Sequence, residues 1–128
     1  MLTRYDPDRA PEPTRWLATP EDQRLEIIRR FHRKAGIRIP NMTVHVVLHS
    51  IVENQVALGD ETPVAATLAR LMREGLTRHD AIHAVATVLL RHMTALMEDE
   101  VPEGEDPNVR YFAELEELTA DAWLASAE

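Results

Sequence analysis

The sequence predicts an all-α fold, a compact bundle of four to five helices preceded by an extended N-terminal arm. Three observations carry this. Apolar residues recur at steps of three and four along most of the chain, the spacing of a helix face. Aromatics make up only 5% of residues and glycine occurs four times, so the apolar set is Ala, Leu, Val, Ile and Met, which suits packed helices better than a sandwich or barrel. No run of strand-like alternation bounded by hairpin turns is present. At 128 residues the chain is expected to form one domain able to bury a core without cross-links.

Residues 1–18 hold three of the eight prolines and little periodicity, and read as the arm, with Trp16 and Leu17 pinning its end. The bundle is expected over 19–128. Its first helix begins at Thr19-Pro20-Glu21-Asp22, with Thr19 as N-cap and Pro20 in the first helical position. It carries Leu25, Ile28, Phe31 and Ala35, and ends at Gly36. Asn41 caps a second helix to about Leu58, with Val44, Leu48, Ile51, Val52 and Val56 as its apolar stripe. Thr62-Pro63 opens a third, which ends at Gly75. Thr77 opens a fourth, with Asp80 as the acid of a capping box, running to about Glu98. After the acidic loop VPEGEDP, Asp106-Pro107 starts a fifth helix bearing Tyr111, Leu115, Leu118 and Ala122.

Charge and composition narrow the function. A net charge of −8 argues against nucleic acid as a partner, since phosphate binding needs a basic face. The basic run RRFHRKAGIR at 29–38 reads as a solvated face, with a local anion contact conceivable. No segment reaches membrane-spanning length, and MLTRYDPDRAPEPTR lacks the apolar core of a signal peptide, so a soluble cytoplasmic protein is expected, with no membrane partner. The absence of cysteine excludes disulfides and thiolate ligands, leaving imidazole and carboxylate to hold any metal.

Two stretches concentrate that chemistry. In VHVVLHSIVENQ, His45, His49 and Glu53 follow at steps of four. In RHDAIHAVATVLL, His79 and His83 do the same. Positions four apart lie only about 40° apart around a helix axis, so each set forms a ridge. His79 and His83 head a stripe continued by Ala86, Leu90, Met93 and Met97, which the pattern places toward the core. Burying several imidazoles and a carboxylate costs several kcal/mol unless they share partners. A divalent ion bridging the two ridges satisfies them together. The expected ligands are His45, His49, Glu53, His79 and His83, with Glu53 serving alternatively as general base. Gln55, Arg78 and Asp80 are the expected supporting groups, Asp80 as a helix cap. Gln55 faces inward and needs a hydrogen-bond partner, whereas Asn54 faces outward with Ser50. Glu114 and Glu117 are reserve carboxylates. His92 points elsewhere, and His32, in the last turn of its helix, complements the helix dipole. Imidazole and carboxylate donors suit zinc, iron, nickel or copper without choosing among them.

The motif H-x3-H-x3-E-x-Q (His45, His49, Glu53, Gln55), followed by R-H-[DE]-A-x-H-A (Arg78, His79, Asp80, Ala81, His83, Ala84), resembles a bacterial family of unknown function over roughly residues 40–98. His49/Glu53 and His79/His83 also resemble, in order, the HxxxE and HxxxH elements of hemerythrin-like bundles, which implies a helical metal-binding fold. The closing HxxxxD of those bundles has no counterpart, because Met97 stands five residues after His92. The adjacent pair His79-Asp80 is similar to the signature of the HD phosphohydrolases, with Asp121 as the available distal acid.

The functional expectation is therefore a metal-binding helical bundle acting as a hydrolytic or redox metalloenzyme on a small-molecule substrate. The alternatives are a non-catalytic interaction module with a metal-stabilised or purely polar histidine cluster, and an HD-type metal-dependent phosphohydrolase. A homodimer is expected in each case, covering Met72 and Trp16.

Overall fold

The computed structural model describes residues 1–98 and 101–126. Residues 99 and 100, just before the acidic loop, and the last two residues lie outside the described part. The chain is all-helical there: α1 Pro13–Ala18, α2 Glu21–Lys34, α3 Met42–Ala57, a 3-10 turn Gly59–Glu61, α4 Val64–Arg73, α5 Arg78–Met97, α6 Pro107–Glu117 and α7 Ala120–Ser126. No helix among the described residues is long and apolar enough to cross a membrane.

Local chemistry accounts for most boundaries. Asn41 accepts from the Val44 amide, Thr77 from the Asp80 amide and Asp106 from the Asn108 amide, each satisfying an amide the first turn leaves unpaired. Gly36 closes α2 at φ +70, and Ile37 N then donates to His32 O, a reversal that suits glycine because a side chain is strained at that φ. Two starts differ from expectation. Thr19 does not cap α2: its hydroxyl donates to Arg15 O and closes α1 instead, so α2 begins at Glu21 with no side-chain cap. Pro63 is the N-cap of α4 rather than its first residue, and Thr62 Oγ1 accepts from the Val64 amide. The final helix divides, because Leu118 is extended and α7 restarts at Ala120.

Helix α3 is the axis of the fold. It packs against α1, α2, α4 and α5, and its buried residues, Val46, Leu48, His49, Ser50, Val52 and Glu53, face several directions. Val46 joins Tyr5, Trp16, Ile27 and Ile28 in one apolar cluster. Leu48 and Val52 join Leu68, Leu71, Ile82, Val85, Leu89 and Leu115 in a second. The expected single stripe on α3 is thus too simple, and Val44 is 40% exposed. On α5 the core face runs through Arg78, Ala81, Ile82, Val85, Val88 and Leu89. Leu90 and Met97 are exposed, so His79 and His83 flank the buried stripe rather than head it.

The N-terminal arm is not wholly extended. Residues 13–18 are helical, and Trp16 is fully buried, with its indole N–H donating to Asn54 Oδ1 at 2.8 Å. Asn54 also accepts from Arg24, so it faces neighbouring elements rather than solvent, and Ser50 is buried beside it. Cover for Trp16 comes from within the chain and requires no second copy. Replacing Trp16 by Ala should lower stability by about 3–5 kcal/mol through cavity formation. Urea unfolding checks this; a loss below about 1 kcal/mol would show that α1 is not an integral layer.

Candidate metal centre

Four histidines from three helices meet at one point. His32 of α2, His45 and His49 of α3, and His83 of α5 each offer a ligand atom, and these atoms all lie within 4.8 Å of one another. The closest approaches are His32 Nε2 to His45 Nε2 at 3.0 Å and His49 Nε2 to His83 Nε2 at 3.1 Å. Around a tetrahedral ion with metal–nitrogen bonds of 2.0–2.1 Å, nitrogens sit about 3.3 Å apart, so the two close pairs fit and no other pair need close by more than about 1.5 Å.

The tautomers follow from the other ring nitrogens. His32 Nδ1 is 2.8 Å from Ile28 O, a carbonyl that can only accept, so Nδ1 carries the proton and Nε2 presents a lone pair. The Tyr5 hydroxyl donates its one proton to Glu53 Oε2 at 2.6 Å. Its oxygen therefore accepts from His49 Nδ1–H at 3.1 Å, leaving His49 Nε2 bare as well. In the metal-free arrangement His45 and His83 donate Nε2–H to those lone pairs. To ligate, they need only carry the proton on Nδ1, and both are partly exposed.

Glu53 is 1% exposed and already occupied. Arg78, itself 5% exposed, grips it with two bonds, Nη2 to Oε1 at 2.7 Å and Nη1 to Oε2 at 2.9 Å, and also donates to Pro7 O at 2.9 Å. A continuous chain, Arg78–Glu53–Tyr5–His49, thus orients one imidazole of the group. Burial works against the charge on Arg78, but Glu53 overcomes it and holds the guanidinium above its usual pKa; burial and Glu53 together raise Tyr5.

His79 stands beside the four. Its ring centroid lies 4.3 Å from that of His83 and 5.4 Å from that of His49. Its Nε2 is buried without a hydrogen-bond partner, the one such side-chain atom among the described residues. Its backbone amide is held by Asp8 Oδ1 at 3.1 Å.

Of the residues singled out by sequence, His45, His49 and His83 come together. His79 is adjacent, and Glu53 faces Arg78 and Tyr5. Gln55 accepts from the Tyr111 hydroxyl at 2.7 Å, away from the histidines, so its inward amide bridges to α6. Asp80, Glu114, Glu117 and Asp121 are outside the group, and Glu114 approaches Arg91 on the surface. His32 is the correction. Read as a dipole partner, it is instead fully buried and central. One signal for it was available: His32 follows the core residue Ile28 by four positions and so shares its inward face. Tyr5 and its bond to His49 had no local signal.

Burial and neighbouring imidazoles lower His45 to about 4 and His83 to about 3. They push His49 down further, while His79 is lowered by burial against the pull of Asp8. His45, His49, His79 and His83 are consequently neutral near pH 7, the form that ligates. Compared with family models, curated proteins and solved structures, the chain matches none.

The shifts carry a sign. Unfolded histidines titrate near pH 6.5, above the folded values of His45, His49, His79 and His83, so below that pH the unfolded chain binds more protons. Stability of the metal-free protein should be level above about pH 6.5 and fall as the pH drops toward about 4. Urea midpoints measured across that range check it, and a flat profile would contradict neutral burial. Separately, Arg78→Ala should cost about 3–5 kcal/mol, because it strands a buried carboxylate. Restoration of stability by the further change Glu53→Gln would confirm that the stranded charge is the cause.

Proposed function

We propose that this protein is a metal-binding helical protein whose ion is held by Nε2 of His32, His45, His49 and His83, with His79 available as a fifth nitrogen. The observation that carries the reading is the convergence of four imidazole ligand atoms within 4.8 Å. For His32 and His49, the bonds at Nδ1 also leave a bare Nε2 turned to the same point. Second partners that fix tautomer and ring orientation are what metal-bound histidines ordinarily have.

Glu53 acts in this reading through Tyr5 on His49, not as a ligand or general base, since both of its oxygens are engaged. An all-nitrogen shell suits zinc, copper, nickel or iron over magnesium or calcium. Neutral ligands leave the ion its full charge. Where a coordination position stays open, such an ion supplies Lewis acidity and lets water act as a nucleophile near neutral pH. His45 and His83 are the partly exposed members, so a small substrate would approach from their side. Hydrolysis is the reaction class these features support best.

Elemental analysis of untagged protein purified without chelator should find about one equivalent of a transition metal per chain. The His32→Ala/His49→Ala variant should lack it. Tyr5→Phe should keep the site but weaken it by roughly 10–100-fold in a competition titration, because His49 loses its orienting partner. Metal-free protein whose melting temperature no divalent ion raises would defeat the proposal.

A further inference from the structure

A cavity opens against Tyr5 and Phe31, two residues that also touch the histidine group. It has a volume of about 620 Å³ and is lined by Arg4, Arg30 and Lys34 around a floor of Tyr5, Ile27 and Phe31. No acidic side chain lines it. In a chain of net charge −8 that local excess of three positive charges runs against the overall field.

The arrangement has a simple origin. Residues 27, 30, 31 and 34 fall on one face of α2, and the N-terminal segment crosses that face, adding Arg4 and Tyr5. A role at the negative end of the α2 dipole accounts for Lys34, but not for Arg4, which belongs to another segment. Arg30 approaches Glu26 only at 3.8 Å and donates to Thr3 O at 3.4 Å. Arg4 and Lys34 make no ion pair among the described residues. Three cations are thus gathered over an aromatic and aliphatic floor, and two of them, Arg4 and Lys34, have no ion-pair partner among the described residues.

We propose that this cavity binds a small organic anion, its carboxylate or phosphate on Arg4, Arg30 and Lys34 and its apolar body on Ile27, Phe31 and Tyr5. Arginine and lysine supply charge-assisted hydrogen bonds to such a head group, and concave sites with a few convergent polar groups on an apolar wall are the usual form of small-molecule sites. The site adjoins the metal centre. Phe31 meets His32 and His79 edge-on at 5.3 and 5.7 Å between ring centroids, and Tyr5 bonds His49. The inference does not depend on the metal reading, and the two can fail separately.

The test is calorimetric titration of the metal-free full chain with phenyl phosphate and with phenylacetate, using benzyl alcohol as the neutral control. Saturable binding of either anion that weakens with added salt, and no binding of benzyl alcohol, is the expected result; the tighter anion identifies the head group. The Arg4→Gln/Lys34→Gln variant should bind roughly tenfold more weakly, with unchanged melting temperature and metal content, since neither side chain is bonded internally. No saturable binding of either anion, or equal binding by the variant, would overturn the proposal. If binding holds while no metal is found, the cavity stands and the metal centre falls.

Discussion

The ion pair between Glu53 and Arg78 is the constraint on which the rest of the structure depends. Both groups are almost wholly buried, and an unpaired buried charge costs several kcal/mol. The pair therefore has to form, and forming it sets three things at once. It joins α3 to α5 near the start of α5, it draws Pro7 onto Arg78, and it gives the Tyr5 hydroxyl a carboxylate to bond. The buried polar bonds at Tyr5 and Pro7 that hold the N-terminal segment depend on this pair.

From that follows the order within the histidine group. A neutral imidazole can present either nitrogen, and a cluster of five could settle into many hydrogen-bonded arrangements. Two bonds limit the choice. Ile28 O takes the Nδ1 proton of His32 from within the same helix, and Tyr5, itself directed by Glu53, takes that of His49. The two most buried rings therefore have assigned tautomers, while His45 and His83, nearer the surface, are free to adjust. In the proposed metal reading, such a division lets the site stay assembled without an ion and still accept one.

The electrostatics are consistent with this plan. Glu53 reaches the four converging imidazoles only through Tyr5, the nearer acids act on His79, and burial keeps His45, His49 and His83 uncharged near neutral pH. The basic residues Arg4, Arg30 and Lys34 line a cavity with Phe31 and Tyr5, and the same two rings touch His32 and His49. One short N-terminal segment takes part in both. Removing it would therefore be expected to alter the two sites together.

The helices were legible in the sequence because capping, helix-stopping glycines and apolar spacing act within a few residues of one another. Asn41, Thr77, Asp106 and Gly36 do locally what their chemistry dictates. The ridges His45/His49 and His79/His83 were legible for the same reason, since a step of four is a property of one helix. The position of His32 was not. A helix-terminal histidine serves the dipole or the core according to how α2 rotates against α3, which is decided by packing of Ile27, Ile28 and Val46. Nor could spacing tell a ligand from a support: Glu53 continues the α3 ridge, but Arg78 and Tyr5 occupy its oxygens. Sequence alone determined an all-helical chain with paired imidazoles and no thiolate. Tertiary structure decided which imidazoles meet and which carboxylate stands behind them, because those contacts span 13 and 34 residues between histidines and 44 and 48 between Tyr5 and α3, and no local rule reaches that far.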